Sequence, residues 1–179
     1  MARSSASLRG FSLVVTAVLL LDIATKYLAE TRLPRYVGVP VLGDFFQLRL
    51  VYNTGAAFGL SVGDYSRPVF MLLAIVALII LGSMVRATRP GDALRLYALA
   101  SICAGATGNL IDRIRSHRGV VDFLDFTVGA FHWPTFNVAD MAVTCGAAAL
   151  ALSLWSEGKQ APGGAAASPS PEVAPTAES

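Results

Sequence analysis

Between Arg67 and Arg86 the chain runs for 18 residues, 68–85, without a charged side chain. A helix gains about 1.5 Å per residue and a bilayer core is roughly 30 Å thick, so a run of this kind predicts a membrane span. Three further segments follow the same pattern. Residues 96–111 are 16 uncharged positions ending at Asp112, 137–156 is apolar beyond Asn137 and Asp140, and 10–28 follows Arg3 and Arg9. A cleaved signal peptide is the alternative for the first, with an apolar run over 11–21. The segment nevertheless continues through Asp22 and Lys26 to Leu28 with no small-x-small cleavage site, which favours a retained span. Composition agrees: 54% hydrophobic and 15% charged residues exclude an ordinary soluble domain. The net charge of +2 is scattered, which excludes a nucleic-acid partner. Cys103 and Cys145 sit in apolar segments and read as buried bystander thiols, not as a disulfide or zinc site.

Between the first two spans, 29–67 is too apolar and aromatic for a linker and is expected to fold on the membrane surface. Within it Phe46-Gln47-Leu48-Arg49-Leu50-Val51-Tyr52 partly alternates and is rich in strand formers, predicting one or two short strands. The segment 113–136 contains the strand-like Val120-Val121-Asp122-Phe123-Leu124-Asp125-Phe126 and then Trp133-Pro134, which suits a membrane interface. The fold expected is an all-α polytopic membrane protein of four transmembrane helices with a small β-containing extracytoplasmic subdomain. A membrane domain over 1–157 is followed by 158–179, an Ala/Pro/Ser-rich tail expected to be disordered and cytoplasmic.

Four antiparallel spans bring the end of the first, the start of the second, the end of the third and the start of the fourth to one face. Asp22, Lys26, Asn109, Asp112, Arg113, Asn137 and Asp140 all gather there, together with both long loops. Ionisable groups at membrane depth cost at least ~2.5 kcal/mol each, so their concentration at one face marks a functional site. The opposite face carries the short connection with Arg86, Arg89 and Arg95, whose density places it in the cytoplasm.

Asp122 and Asp140 stand out within this cluster. Two carboxyls held together at low dielectric share one proton, one acting as base on a water and the other as acid. Taken singly, Asp140 reads equally as a helix N-terminal carboxylate and Asp122 as a solvated loop charge. Asp22 and Lys26, spaced i, i+4, neutralise each other on one helix face. Asp112 and Arg113, with Asn109, read as structural glue between helices. Ala100, Ala104 and Gly108, with Ser101 and Gly105, form a small-residue face for close helix approach. The string Gly59-Leu60-Ser61-Val62-Gly63 matches a nucleophile elbow without its strand and sheet, and neither His117 nor His132 has a metal-ligand partner at helical spacing. An ion-coupled transporter using Asp22, Lys26 and Asp140 is the alternative from another class.

Five blocks between residues 22 and 145 resemble the lipoprotein signal peptidases (signal peptidase II), four-span aspartic proteases of the bacterial inner membrane. Asp22-Ile23-Ala24-Thr25-Lys26 is similar to the first-span motif and Asn53-Thr54-Gly55-Ala56-Ala57-Phe58-Gly59 to the outer-loop motif. Gly105-Ala106-Thr107-Gly108-Asn109-Leu110-Ile111-Asp112-Arg113 is similar to the third-span motif. Val121-Asp122-Phe123 and Phe136-Asn137-Val138-Ala139-Asp140 resemble the blocks that supply the catalytic aspartates. Two departures stand: Ala104-Gly105 replaces a usual glycine pair, and 114–119 is one residue longer than the pattern.

The resemblance implies catalysis by Asp122 and Asp140, with Asn53, Gly55, Asn109, Arg113, Asn137 and Ala139 holding substrate or supporting the dyad, and Asp22, Lys26 and Asp112 as structural polar residues. It implies no metal and no cofactor. The substrate implied is a bacterial prolipoprotein, cut just before a cysteine carrying diacylglycerol, on the outer side of the inner membrane, with both termini cytoplasmic. A monomer surrounded by membrane phospholipid is expected, with Phe45, Phe46, Tyr52 and Phe58 as an apolar roof over the site.

Overall fold

The computed structural model describes residues 5–55 and 62–160. Four long helices, α1 (Ser5–Arg32), α2 (Ser66–Ala87), α3 (Ala93–Arg115) and α4 (Val138–Gln160), are each long and apolar enough to cross a membrane. A sheet of β1 (Val39–Leu42), β2 (Phe46–Asn53), β3 (Val120–Val128) and β4 (Phe131–His132) joins the segment after α1 to the segment after α3. This is the four-span membrane fold with a small antiparallel sheet that the sequence predicts. The helices exceed the uncharged runs at both ends because helical backbone continues through polar flanks until a breaker or cap. α4 accordingly reaches Gln160, three residues into the expected tail, and Pro162 follows. The remainder of that tail, Phe58 and most of the elbow-like string lie outside the described residues.

α3 is the central helix and touches the other three. Its small face permits this: Ala100 and Ala104 are fully buried, and a side chain at Gly105 would run into the carbonyl of Ala139. α2, the most apolar span, buries only Ser66 and turns its aliphatic surface outward to lipid. The substitution of Ala104 for glycine is therefore accommodated where the helices already meet.

β1, β2 and β3 run antiparallel in sequence order, so the pairing that matters joins two loops far apart in the chain. Ala29, Leu50, Val121 and Phe123 form a core on the α1 side of the sheet. Burial of each larger side chain there contributes about 1.5–3 kcal/mol, which fastens the sheet to the end of α1. The longer 114–119 segment is absorbed in a tight turn: α3 ends at Arg115, Arg118 N–H donates to Ser116 Oγ, and Gly119 takes φ +101°. A side chain at Gly119 would also strike the carbonyl of Asn53, so the turn requires glycine twice over. Val120 then pairs with Asn53, and Asp122 with Val51.

Candidate active site

β2 carries a bulge that decides which side chains meet. From Phe46↔Phe126 to Leu48↔Leu124 the strands pair in step, but Val51 lies opposite Asp122, so one extra β2 residue is accommodated between Leu48 and Val51. Side-chain parity switches at that point. Phe46, Leu48, Val51 and Asn53 thus share the face of Asp122, while Leu50 and Tyr52 face the core side. Asn53 Nδ2 donates to Asp122 Oδ2 at 3.1 Å, and Gly55 N–H donates to Asn53 Oδ1 at 3.0 Å.

Asp140 is placed by the start of α4. Asp140 N–H donates to Asn137 Oδ1 at 2.9 Å, and Asn137 N–H donates back to Asp140 Oδ2 at 3.2 Å. This reciprocal pair is a capping box, built here from Asn and Asp three residues apart. Asn137 Nδ2 also donates to Asp122 Oδ1 at 2.7 Å, so one residue links the two carboxyls, through its side-chain amide to Asp122 and its backbone N–H to Asp140. Asn109 on α3 adds a second link: its Nδ2 donates to Asp140 Oδ1 at 2.8 Å and its Oδ1 accepts from Asn137 Nδ2 at 3.2 Å.

Asp122 is buried, not the solvated loop charge that its segment alone allowed. Burial and the neighbouring Asp140 charge push its pKa up to about 7, against the lowering effect of the Asn53 and Asn137 hydrogen bonds and of Lys26. Its carboxyl is therefore much more readily protonated than that of an exposed aspartate.

Behind the dyad, Lys26 is more than half of an ion pair. Its Nζ lies 2.8 Å from Asp22 Oδ2, 2.9 Å from Asp112 Oδ2 and 3.1 Å from Asn109 Oδ1. All three charged residues are buried. Asp22 Oδ1 accepts from Ala139 N–H at 2.9 Å and Asp112 Oδ2 from Val121 N–H at 3.2 Å. Each carboxylate thus reaches the residue just before one of the dyad aspartates, tying α1 and α3 to both. A Cβ at Gly108 would stand 2.5 Å from Asp22 Oδ2, so the cluster needs glycine there. The pairing of Asp22 with Lys26 is present as expected, and Asp112 joins it.

Arg113 lines the site, with Nη2 donating to Gly55 O at 2.8 Å. The dyad, Asn53, Asn109 and Arg113 stand in a groove of about 770 Å³ whose other walls are largely apolar, among them Phe45, Phe126, Phe136 and Met141. Of the expected roof, Phe45 lines this groove and Phe46 stacks on Phe126 at 4.6 Å. Tyr52 does not: the parity switch turns it away, where its hydroxyl donates to Glu30 at 3.1 Å beneath the Arg118 guanidinium. Cys145 is likewise not a buried bystander, since it is exposed along the groove.

A family model described as signal peptidase (SPase) II matches residues 14–156. The chain belongs to the signal peptidase II family. It is 42% identical over 147 residues to a lipoprotein signal peptidase of Geobacter metallireducens, covering 82% of this chain and 90% of that one. To the lipoprotein signal peptidase of Desulforapulum autotrophicum it is 48% identical over 138 residues, covering 75% and 84%. A solved structure described as a bacterial membrane enzyme, obtained by the in meso method, superposes with TM-score 0.74 at 28% identity, covering 85% of this chain and 91% of that one. As a signal peptidase II relative the chain is a multi-pass membrane protease.

Sequence reasoning missed Arg67, noted only as the charge before the uncharged run 68–85. Its Nε donates to Arg113 O at 2.7 Å and its Nη2 to Ile114 O at 3.3 Å, capping carbonyls at the end of α3. It also missed Arg115, which bridges Asp112 at 3.0 Å and Glu30 at 2.8 Å. Arg67 and Glu30 are distant in sequence from the groups they meet, so no local pattern signals those contacts, whereas Asp112 and Arg115 are spaced i, i+3 on one helix face.

Proposed function

We propose that this signal peptidase II relative is an aspartic endopeptidase that removes the signal peptide from diacylglyceryl-modified prolipoproteins, cutting just before the modified cysteine. The observation carrying this reading is the pair Asp122 and Asp140, joined through Asn137 and Asn109 within a largely apolar groove. Asp122, with its raised pKa, holds the shared proton at rest. Asp140 takes a proton from a water as the water oxygen attacks the scissile carbonyl, and Asp122 delivers its proton to the carbonyl oxygen. Collapse of the tetrahedral species returns that proton to Asp122, breaks the C–N bond and moves the Asp140 proton to the leaving amine. Asn53, Asn109 and Asn137 hold the two carboxyls in place, and Arg113 with Gly55 shapes the adjoining backbone for the peptide. No cofactor enters this scheme.

An acyl-modified substrate reaches such a groove sideways from the lipid. The site faces the outer side of the bacterial inner membrane, with both termini in the cytoplasm, because the short connection with Arg86, Arg89 and Arg95 is the side favoured by the positive-inside rule. One copy suffices, since a single chain supplies the dyad and the groove, with phospholipid around it. The transporter alternative gains nothing: 68–85 and 147–156 carry no ionisable side chain along which a relay could continue.

The test is cleavage of a diacylglyceryl-modified prolipoprotein by purified protein in lipid. Wild type releases the signal peptide before the modified cysteine, while Asp122→Asn and Asp140→Asn fold and release none. Turnover by either variant, or equal cleavage of the unmodified precursor, refutes the proposal.

A further inference from the structure

β4 is only two residues long. It meets β3 at Thr127↔His132 and Val128↔Phe131, turning around Gly129. Beyond them Trp133 N–H donates to Phe126 O, and the pairing then shifts by one residue to Leu124 and Phe136, so a short and irregular ladder fixes the register of β4 only weakly. Yet Phe131 and Trp133 wall the groove, in T-shaped contact with ring centroids 6.0 Å apart.

On the opposite face of the same strands lies an ionic cluster that the proposed chemistry leaves unused. Asp125 is buried, with Oδ1 3.2 Å from His132 Nδ1 and Oδ2 3.0 Å from Arg49 Nε. Strand alternation explains the placement. Asp125 and Thr127 point away from the groove, Phe126 and Val128 toward it, and His132 opposite Thr127 is the diagonal neighbour of Asp125. His132 can reach Asp125 only in the register that turns Phe131 and Trp133 into the groove. A slip of one residue would carry His132 to the groove and both aromatics out of it. Asp125 thus faces the Arg49 guanidinium with one oxygen and the His132 ring with the other, and His132 Nδ1 also lies 3.4 Å from Trp133 O.

We propose that Asp125 and His132 form a register lock on the β3–β4 hairpin, making them positioning residues that hold Phe131 and Trp133 as the groove wall against the acyl-bearing end of the substrate. This deepens the peptidase reading and rests on it. The lock acts on substrate engagement and leaves the dyad, on another part of β3 and on α4, untouched.

His132 is half-exposed, so its replacement leaves the core intact. With purified full-length protein in lipid and a diacylglyceryl-modified prolipoprotein, His132→Ala should raise KM about fivefold, the worth of one cross-strand pair, with kcat within about twofold of wild type. His132→Asn, whose amide nitrogen stands where Nδ1 does, should restore KM. Trp133→Ala should raise KM as well, and adding His132→Ala to it should cost little more. Amide hydrogen exchange supplies a readout independent of turnover: protection at Thr127 and Trp133, whose N–H groups donate to Phe45 O and Phe126 O, should fall in His132→Ala and return in His132→Asn. Unchanged exchange, or a fall in kcat at constant KM, overturns the lock. Absence of cleavage by wild type with the exchange changes present would refute the peptidase reading and leave the lock standing.

Discussion

Replacing Asp122 by asparagine tests the electrostatics of the site through stability instead of turnover. In the fold its pKa is about 7, against an ordinary 3.8, chiefly through burial and then through the Asp140 charge. Between those two values the folded protein binds a proton that the unfolded chain has lost, so stability falls as pH rises from about 4 to about 7 and levels off above. Three pKa units at about 1.4 kcal/mol each give at most about 4 kcal/mol of destabilisation at pH 8 that is absent at pH 4. A neutral amide is close in shape and hydrogen-bonding capacity to a protonated carboxyl. Asp122→Asn should therefore match wild type at pH 4 and exceed it at pH 8 by up to about 4 kcal/mol, although inactive. Unfolding in mixed micelles across this pH range, followed by circular dichroism, measures the difference. A variant less stable than wild type at pH 8, or a gap that does not grow with pH, would refute the reasoning.

The same proton sets the pH profile of cleavage: activity should fall as pH rises past about 7, where Asp122 loses it, and a rate constant from pH 6 to 9 would contradict the acid role. Lys26→Met leaves Asp22 and Asp112 buried without their shared cation and should cost about 3–5 kcal/mol in unfolding assays, with Asp22/Lys26 and Lys26/Asp112 double-mutant cycles both non-additive. Asp112→Asn keeps the contact to Val121 N–H and should reduce rate or stability only in part, whereas complete inactivation with intact folding would move the catalytic role toward Asp112. Gly108→Val drives a side chain against Asp22 and should lower both stability and yield, which thermal unfolding will read directly.

Much of this protein follows from local pattern. Long apolar runs with few or no charges determine the four spans because neither water nor lipid tolerates the alternative. The distribution of Asp22, Lys26, Asn109, Asp112, Asn137 and Asp140 along those spans, combined with their alternating direction, is enough to place the polar cluster at one face. Asn137 and Asp140 even carry their own geometry, since a capping box is local. Other decisions belong to the tertiary structure. The β2–β3 pairing joins residues about 70 apart, and only the bulge within it turns Asn53 to Asp122 and Tyr52 away, an outcome that alternation in a single strand cannot contain. The sharing of Lys26 between Asp22 and Asp112, and the capping of α3 by Arg67, likewise depend on helices that meet after long connections. The raised pKa of Asp122 is the clearest case: an aspartate between valine and phenylalanine has no fixed acidity until burial and a second carboxylate, both products of packing, surround it.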